Sequence, residues 1–190
     1  MELSVILYLA LLLTVAALRL LELRVSRNHQ RQMIARGAKK ISDPKFRWMV
    51  LVHTAVLLGA ALEVVFLKRP FIAWLAAPML ALFLAANAVR WWVIRTMGQH
   101  WNVQVVDSTQ LGVVTSGPFR FVRHPNYAAV FVEMLALPLI HTAWITAAAG
   151  AVAHVGVLAQ RLSAEERVLF ANADYRAAMA GKPRFLPGMF

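Results

Sequence analysis

Residues 127–159 read YAAVFVEMLALPLIHTAWITAAAGAVAHVGVLA: 33 residues with a single charged group, Glu133. As one helix this stretch would be about 50 Å long, against a bilayer hydrocarbon core of about 30 Å. Pro138, followed by the polar pair His141 and Thr142, offers a break, so the pattern predicts two helices folded back as a hairpin. Residues 3–23, 48–67 and 71–89 are three further apolar runs long enough to cross a bilayer, the third continuing amphipathically to Arg95. Arg19 lies near enough to the end of the first run to snorkel. That run lacks a small-residue cleavage site and is longer than a signal core, so it is expected to remain as an anchor. The whole chain is 60% hydrophobic and 15% charged, with a mean hydropathy of +0.60. Soluble domains have about 45–50% apolar and 25% charged residues. The expected fold is an all-α integral membrane protein of about five transmembrane helices. The last two form the hairpin, and a loop and an amphipathic helix over residues 161–179 lie outside the membrane.

The net charge of +11 is a topology signal and not a nucleic-acid footprint. Sixteen of the 20 lysines and arginines fall in residues 24–47, in the loop after the third run and in the tail. Five spans put all three segments on one side, with Lys68 and Arg69 on the other. The positive-inside rule then predicts a cytoplasmic location for the basic segments and an outside N-terminus, in the inner membrane if the cell is bacterial. The partner expected on these grounds is membrane lipid. The absence of cysteine excludes disulfides, thiolate metal sites and a cysteine nucleophile.

Soluble cofactor signatures are missing. The glycines are dispersed and form no phosphate loop, the six histidines have no zinc spacing, and no nucleophile elbow occurs. Two strings stand out. In SGPFRFVRHPNY, residues 116–127, a Gly-Pro turn leads to Arg120, Arg123 and His124, and Pro125 can open the next helix at its first turn. This sets Arg, His and Tyr side chains at a membrane boundary beside a helix N-terminus able to bind an anion. The same residues also read as a basic interfacial anchor. In RLSAEER, residues 161–167, Arg161 and Glu165 are four apart and share a helix face, as a catalytic pair or as a solvated salt bridge. Three polar residues inside apolar runs, Glu63, Asn87 and Glu133, are candidates to line a path for a lipid substrate. Glu133 has the alternative of a protonated contact between helices. His141 and His154 read as packing or boundary residues, and Trp48, Trp91, Trp92 and Trp144 as an aromatic belt.

Taken together, GPFRFVRHPNY, the hydrophobic hairpin, and RLSAEERVLF followed by YR and PRFLP resemble the isoprenylcysteine carboxyl methyltransferase family. RLLELRVSRN at residues 19–28, with His53 and Glu63, is similar to a bacterial branch of it. The resemblance implies a membrane methyltransferase that uses S-adenosyl-L-methionine. Residues 1–96 would form an N-terminal membrane region and residues 97–190 the catalytic region of a single unit. It further implies that Arg123, His124, Asn126 and Tyr127, with the turn at Thr115 and Gly117, enclose the cofactor. Arg161 and Glu165 would lie at the methyl acceptor, a prenylated or other long-chain lipid. Glu166, Tyr175, Arg184 and Pro187 would close the site. Val103 departs from the pattern: prenylcysteine enzymes tend to have histidine there, which counts against prenylcysteine as the acceptor.

Methyl transfer is an in-line displacement that needs alignment above all. A carboxylate acceptor would need only a cation such as Arg161, whereas an enol or phenol would also need a base, for which Glu165 is the candidate. The Arg-His-Pro-x-Tyr piece is shared with membrane sterol reductases. An NADPH-dependent reductase of lipid double bonds is therefore the alternative enzyme, and a membrane scaffold the non-enzymatic one.

Overall fold

The computed structural model describes residues 2–41 and 46–185. Among these residues, six α-helices and one two-residue strand pair follow in the order α1 (Leu3–Ala35), β1 (Lys39–Lys40), α2 (Phe46–Phe66), α3 (Ala73–Met97), β2 (Val106–Asp107), α4 (Pro125–Leu139), α5 (Trp144–Leu169) and α6 (Ala173–Met179). Four of them, α1, α2, α3 and α5, are long and apolar enough to cross a membrane. Their outward faces carry large exposed apolar side chains such as Leu13, Phe66, Trp74 and Val152. In water such a surface would aggregate, and against lipid tails it is at home.

The expected hairpin is present, but α4 has 15 residues, about 22 Å of helix, short of the hydrocarbon thickness. It sits among the other helices with Ala129, Val130, Met134, Ala136 and Leu137 all buried. Tyr127 at the start of α4 bonds Glu165 near the end of α5, so the two helices run antiparallel. The turn between them uses Thr142 at φ 55, and the Thr142 hydroxyl donates to the Pro70 carbonyl at 2.7 Å.

Tyr8, Leu12 and Val15 of α1 pack with Ala60 and Val64 of α2, Phe83 of α3, and Ala136, Leu137 and Ile140 at the end of α4. Where α2 meets α5 the contact depends on small residues: a Cβ at Gly150 would come within 2.5 Å of Val56 Cγ2. Membrane helices commonly approach through such residues.

Two boundaries differ from the sequence expectation. Helix α1 does not stop at residue 23 but continues to Ala35. Leu, Glu, Arg, Gln and Met are good helix formers, and the first break comes at Gly37, whose φ is 96°. The amphipathic segment expected over 161–179 is divided. Its first part prolongs α5 to Leu169, and α6 begins only after Asn172, whose side chain accepts from the Tyr175 amide. Both extensions bring basic segments together at one end of the molecule. There β1 pairs antiparallel with β2, and the amides of Arg123 and His124 donate to the carbonyls of Pro183 and Arg184, each at 2.9 Å.

Candidate active site

At that basic end a cavity of about 520 Å³ runs inward between α1, α2, α4 and α5. Its mouth is built by the segment after α3 and by the start of α4. Ser26 on the extended part of α1 donates to Asn102 Oδ1 and accepts from the Val103 amide. This fixes the loop against a helix more than seventy residues away in sequence. Pro125 opens α4 with His124 at its N-cap, so the next turn places Asn126 and Tyr127 on the cavity wall.

Tyr127 lies between the two residues of the second string. Its hydroxyl donates to Glu165 Oε2, and the Arg161 guanidinium lies over its ring, 5.8 Å from the centroid. Arg161 also donates to the Val103 carbonyl. The residue that departs from the family pattern therefore contributes its backbone here. Arg161 is 6% exposed, so this is no solvated surface pair.

Behind the wall, Glu166 is a hub. It takes the Arg184 guanidinium at 2.8 Å, Arg123 at 3.4 Å and His124 Nε2 at 3.1 Å. A carboxylate only accepts, so Nε2 carries the proton in this contact. Burial lowers the His124 pKa below its ordinary value, with Glu165 and Glu166 pulling the other way. The ion pair with Glu166 raises that of Arg184. His124 stacks on Tyr127 at 5.6 Å and meets Phe185 at 6.4 Å, so the tail covers the N-terminus of α4. Tyr175, on the cavity wall, packs edge-on against Phe170, and its burial pushes its hydroxyl up to about 12.

Arg123, His124, Asn126, Tyr127, Arg161, Glu165 and Tyr175 thus share one cavity, with Glu166 and Arg184 bracing it from behind. Thr115 is exposed. Gly117, at φ +56°, lies against α3, where a Cβ would come within 2.5 Å of Thr96 Oγ1. Pro187 lies outside the described residues.

The intramembrane polar residues go elsewhere. Glu133 pairs with Arg19 at 2.9 Å and faces Arg90 at 3.7 Å, while Glu22 bonds both arginines. Asn87 joins at 3.5 Å from Arg19. Arg19, Glu22 and Arg90 line the cavity, so α1 and α3 contribute a charged wall that no local sequence pattern marks. Glu63 sits at the opposite end of α2. It bonds Arg69 and accepts from the amides of Ile145 and Thr146 at the N-terminus of α5.

The profile of the isoprenylcysteine carboxyl methyltransferase family matches residues 79–171, from within α3 to just beyond α5. An uncharacterised Bacillus subtilis protein, YpbQ, is 28% identical over 152 residues, covering 80% of this chain and 89% of its own. An uncharacterised Haemophilus influenzae protein is 27% identical over 158 residues, covering 82% and 90%. Among solved structures, the eukaryotic intramembrane Ras methyltransferase, isoprenylcysteine carboxyl methyltransferase, superposes with a TM-score of 0.56 at 23% identity. The match covers 73% of this chain and 52% of that one, so the chain spans about half the length of that enzyme and shares its fold. Both strings gathered around the cavity lie inside the matched region, so residues 79–171, about half of the chain, are similar to the isoprenylcysteine carboxyl methyltransferase family.

Proposed function

We propose that the protein is a membrane O-methyltransferase that takes its methyl group from S-adenosyl-L-methionine and passes it to an oxygen of a lipophilic acceptor. The observation that carries this reading is the cavity itself: one compartment joins a polar mouth at Tyr127, Arg161 and Glu165 to an apolar interior bounded by Leu57, Leu58 and Val130. A charged, water-soluble donor and a lipid need such a shared compartment. The basic end would face the cytoplasm, where the donor is made, with the N-terminus outside.

The cavity residues suit such a donor. Its volume falls within the range of about 300–1,000 Å³ usual for small-molecule sites. Asn126 Oδ1 and Asn102 Nδ2 are buried without hydrogen-bond partners among the described residues and line it. They offer an acceptor and a donor to a polar ligand. Asn126, His124, Tyr127 and Tyr175 would hold the cofactor, which supplies an electrophilic methyl group. Arg161 is placed to orient the oxygen of the methyl acceptor. Glu165, already accepting from a hydroxyl at Tyr127, is the group to take a proton from an enol or phenol. Burial strengthens both interactions by excluding water.

In phosphatidylcholine nanodiscs, isothermal titration should show binding of S-adenosylhomocysteine and none of NADPH. Binding of NADPH alone would overturn the reading in favour of a lipid double-bond reductase.

A further inference from the structure

Two histidines at the inner end of the cavity have no part in the chemistry above. His53 of α2 and His154 of α5 face each other with ring centroids 5.5 Å apart and planes at 75°, and both line the cavity. His53 Nδ1 lies 2.7 Å from the Met49 carbonyl in its own helix, so Nδ1 carries a proton and, in the neutral ring, Nε2 is left as an acceptor. His154 is completely buried, yet neither of its ring nitrogens has a hydrogen-bond partner among the described residues. Its other ring neighbour is Phe131, at 6.3 Å, and Leu57 and Val130 complete the wall. A residue that only packed here would do better as Leu or Phe, because an imidazole with donor and acceptor both unmet is costly in apolar surroundings.

The position on α5 sets a distance. His154 and Arg161 are seven residues, two turns, apart on one face, which puts them about 10 Å apart along the axis. We propose that His53 and His154 form a second polar subsite that holds a hydroxyl or carbonyl oxygen of the methyl acceptor, about 10 Å deeper than the oxygen that is methylated. The inference rests on the methyl-transfer reading and narrows its substrate class. The preferred lipid carries oxygen at two points, and a plain hydrocarbon tail leaves His154 unpaired. Sites built to bond a hydroxyl reject analogues that lack it far more strongly than apolar pockets reject an extra methylene.

The test compares 4-pentadecylphenol with its counterpart hydroxylated at the fourth side-chain carbon, by competition against the tritiated parent on full-length protein in phosphatidylcholine nanodiscs. Wild type should bind the hydroxylated probe at least tenfold tighter. In His154→Phe and His53→Phe the preference should fall below threefold, while His154→Asn, which keeps a donor and an acceptor, should retain part of it. S-adenosylhomocysteine affinity within threefold of wild type in each variant reports an intact fold, and a raised melting temperature of His154→Phe would show relief of the unmet polar group. Equal binding of the two probes by wild type, binding of neither, or an undiminished preference in His154→Phe would overturn the subsite. Failure of wild type to bind S-adenosylhomocysteine would instead overturn the methyltransferase reading, and the probe ratio would still decide the subsite.

Discussion

At the scale of residues, Tyr127 organises the site, with Glu165 on its hydroxyl and Arg161 over its ring. If the pair handles the methyl acceptor, Arg161→Ala and Glu165→Gln should each lower turnover by about 10²-fold or more, the scale of a lost acid–base or charge-stabilising group. S-adenosylhomocysteine affinity should change by less than about tenfold, or 1.4 kcal/mol. Arg161→Lys keeps the charge and loses the planar fork, so a large loss of turnover in that variant points to bidentate recognition of a carboxylate. Near-normal turnover in all three would remove the pair from the chemistry. His124 gives a pH signature. Its folded pKa lies below the ordinary value of 6.5, so the unfolded chain takes up a proton first as the medium acidifies. The stability that neutral His124 contributes is therefore full above about pH 6.5 and is lost as pH falls from there through the folded value. Melting temperatures from pH 7.5 to 5 should drop more steeply for wild type than for His124→Asn; parallel curves would contradict the assignment.

Among the elements, the charged box of Arg19, Glu22, Arg90 and Glu133 ties α1, α3 and α4 together along the cavity wall. Removing one partner of a buried set leaves charge uncompensated, at about 3–5 kcal/mol. Glu133→Gln should therefore lower the melting temperature markedly, and Glu133→Gln combined with Arg19→Gln should recover part of the loss. An unchanged melting temperature in the single variant would mean that the box contributes nothing to the helix packing.

The helix hairpin was legible from the 33-residue length, Pro138 and the polar pair His141 and Thr142, because a bilayer sets a hard limit on helix length; Pro138 stays inside α4, and the turn falls on the polar pair. The reach of α1 to Ala35 was not. Apolar character ends at residue 23, but helix propensity does not, and only Gly37 stops it. The clustering of Arg123, His124, Tyr127, Arg161 and Glu165 was suggested by family resemblance and not by spacing. The roles of Glu22, Arg90 and Asn102 were hidden for a related reason. Their partners lie 68 and 76 residues away in sequence, beyond the reach of any local pattern. His154 had no sequence signal beyond being polar in an apolar run.

Across the whole molecule, the pairing of β1 with β2 and of Arg123 with Pro183 brings described parts of the three basic segments to one end. The orientation proposed for this end predicts that a cysteine at Lys40, in this cysteine-free chain, is labelled only after the inner face is opened. A cysteine at Lys68, at the other end, should be labelled from outside in intact cells. The reverse pattern would invert the topology. Methyl transfer to a lipid inside this cavity can be read out directly. The most direct test incubates protein-containing native membranes with S-adenosylmethionine carrying a tritiated methyl group and extracts the organic phase. Wild type should put label into a lipid, and Glu165→Gln at least about a hundredfold less. Equal organic-phase label from membranes with and without the protein would contradict it.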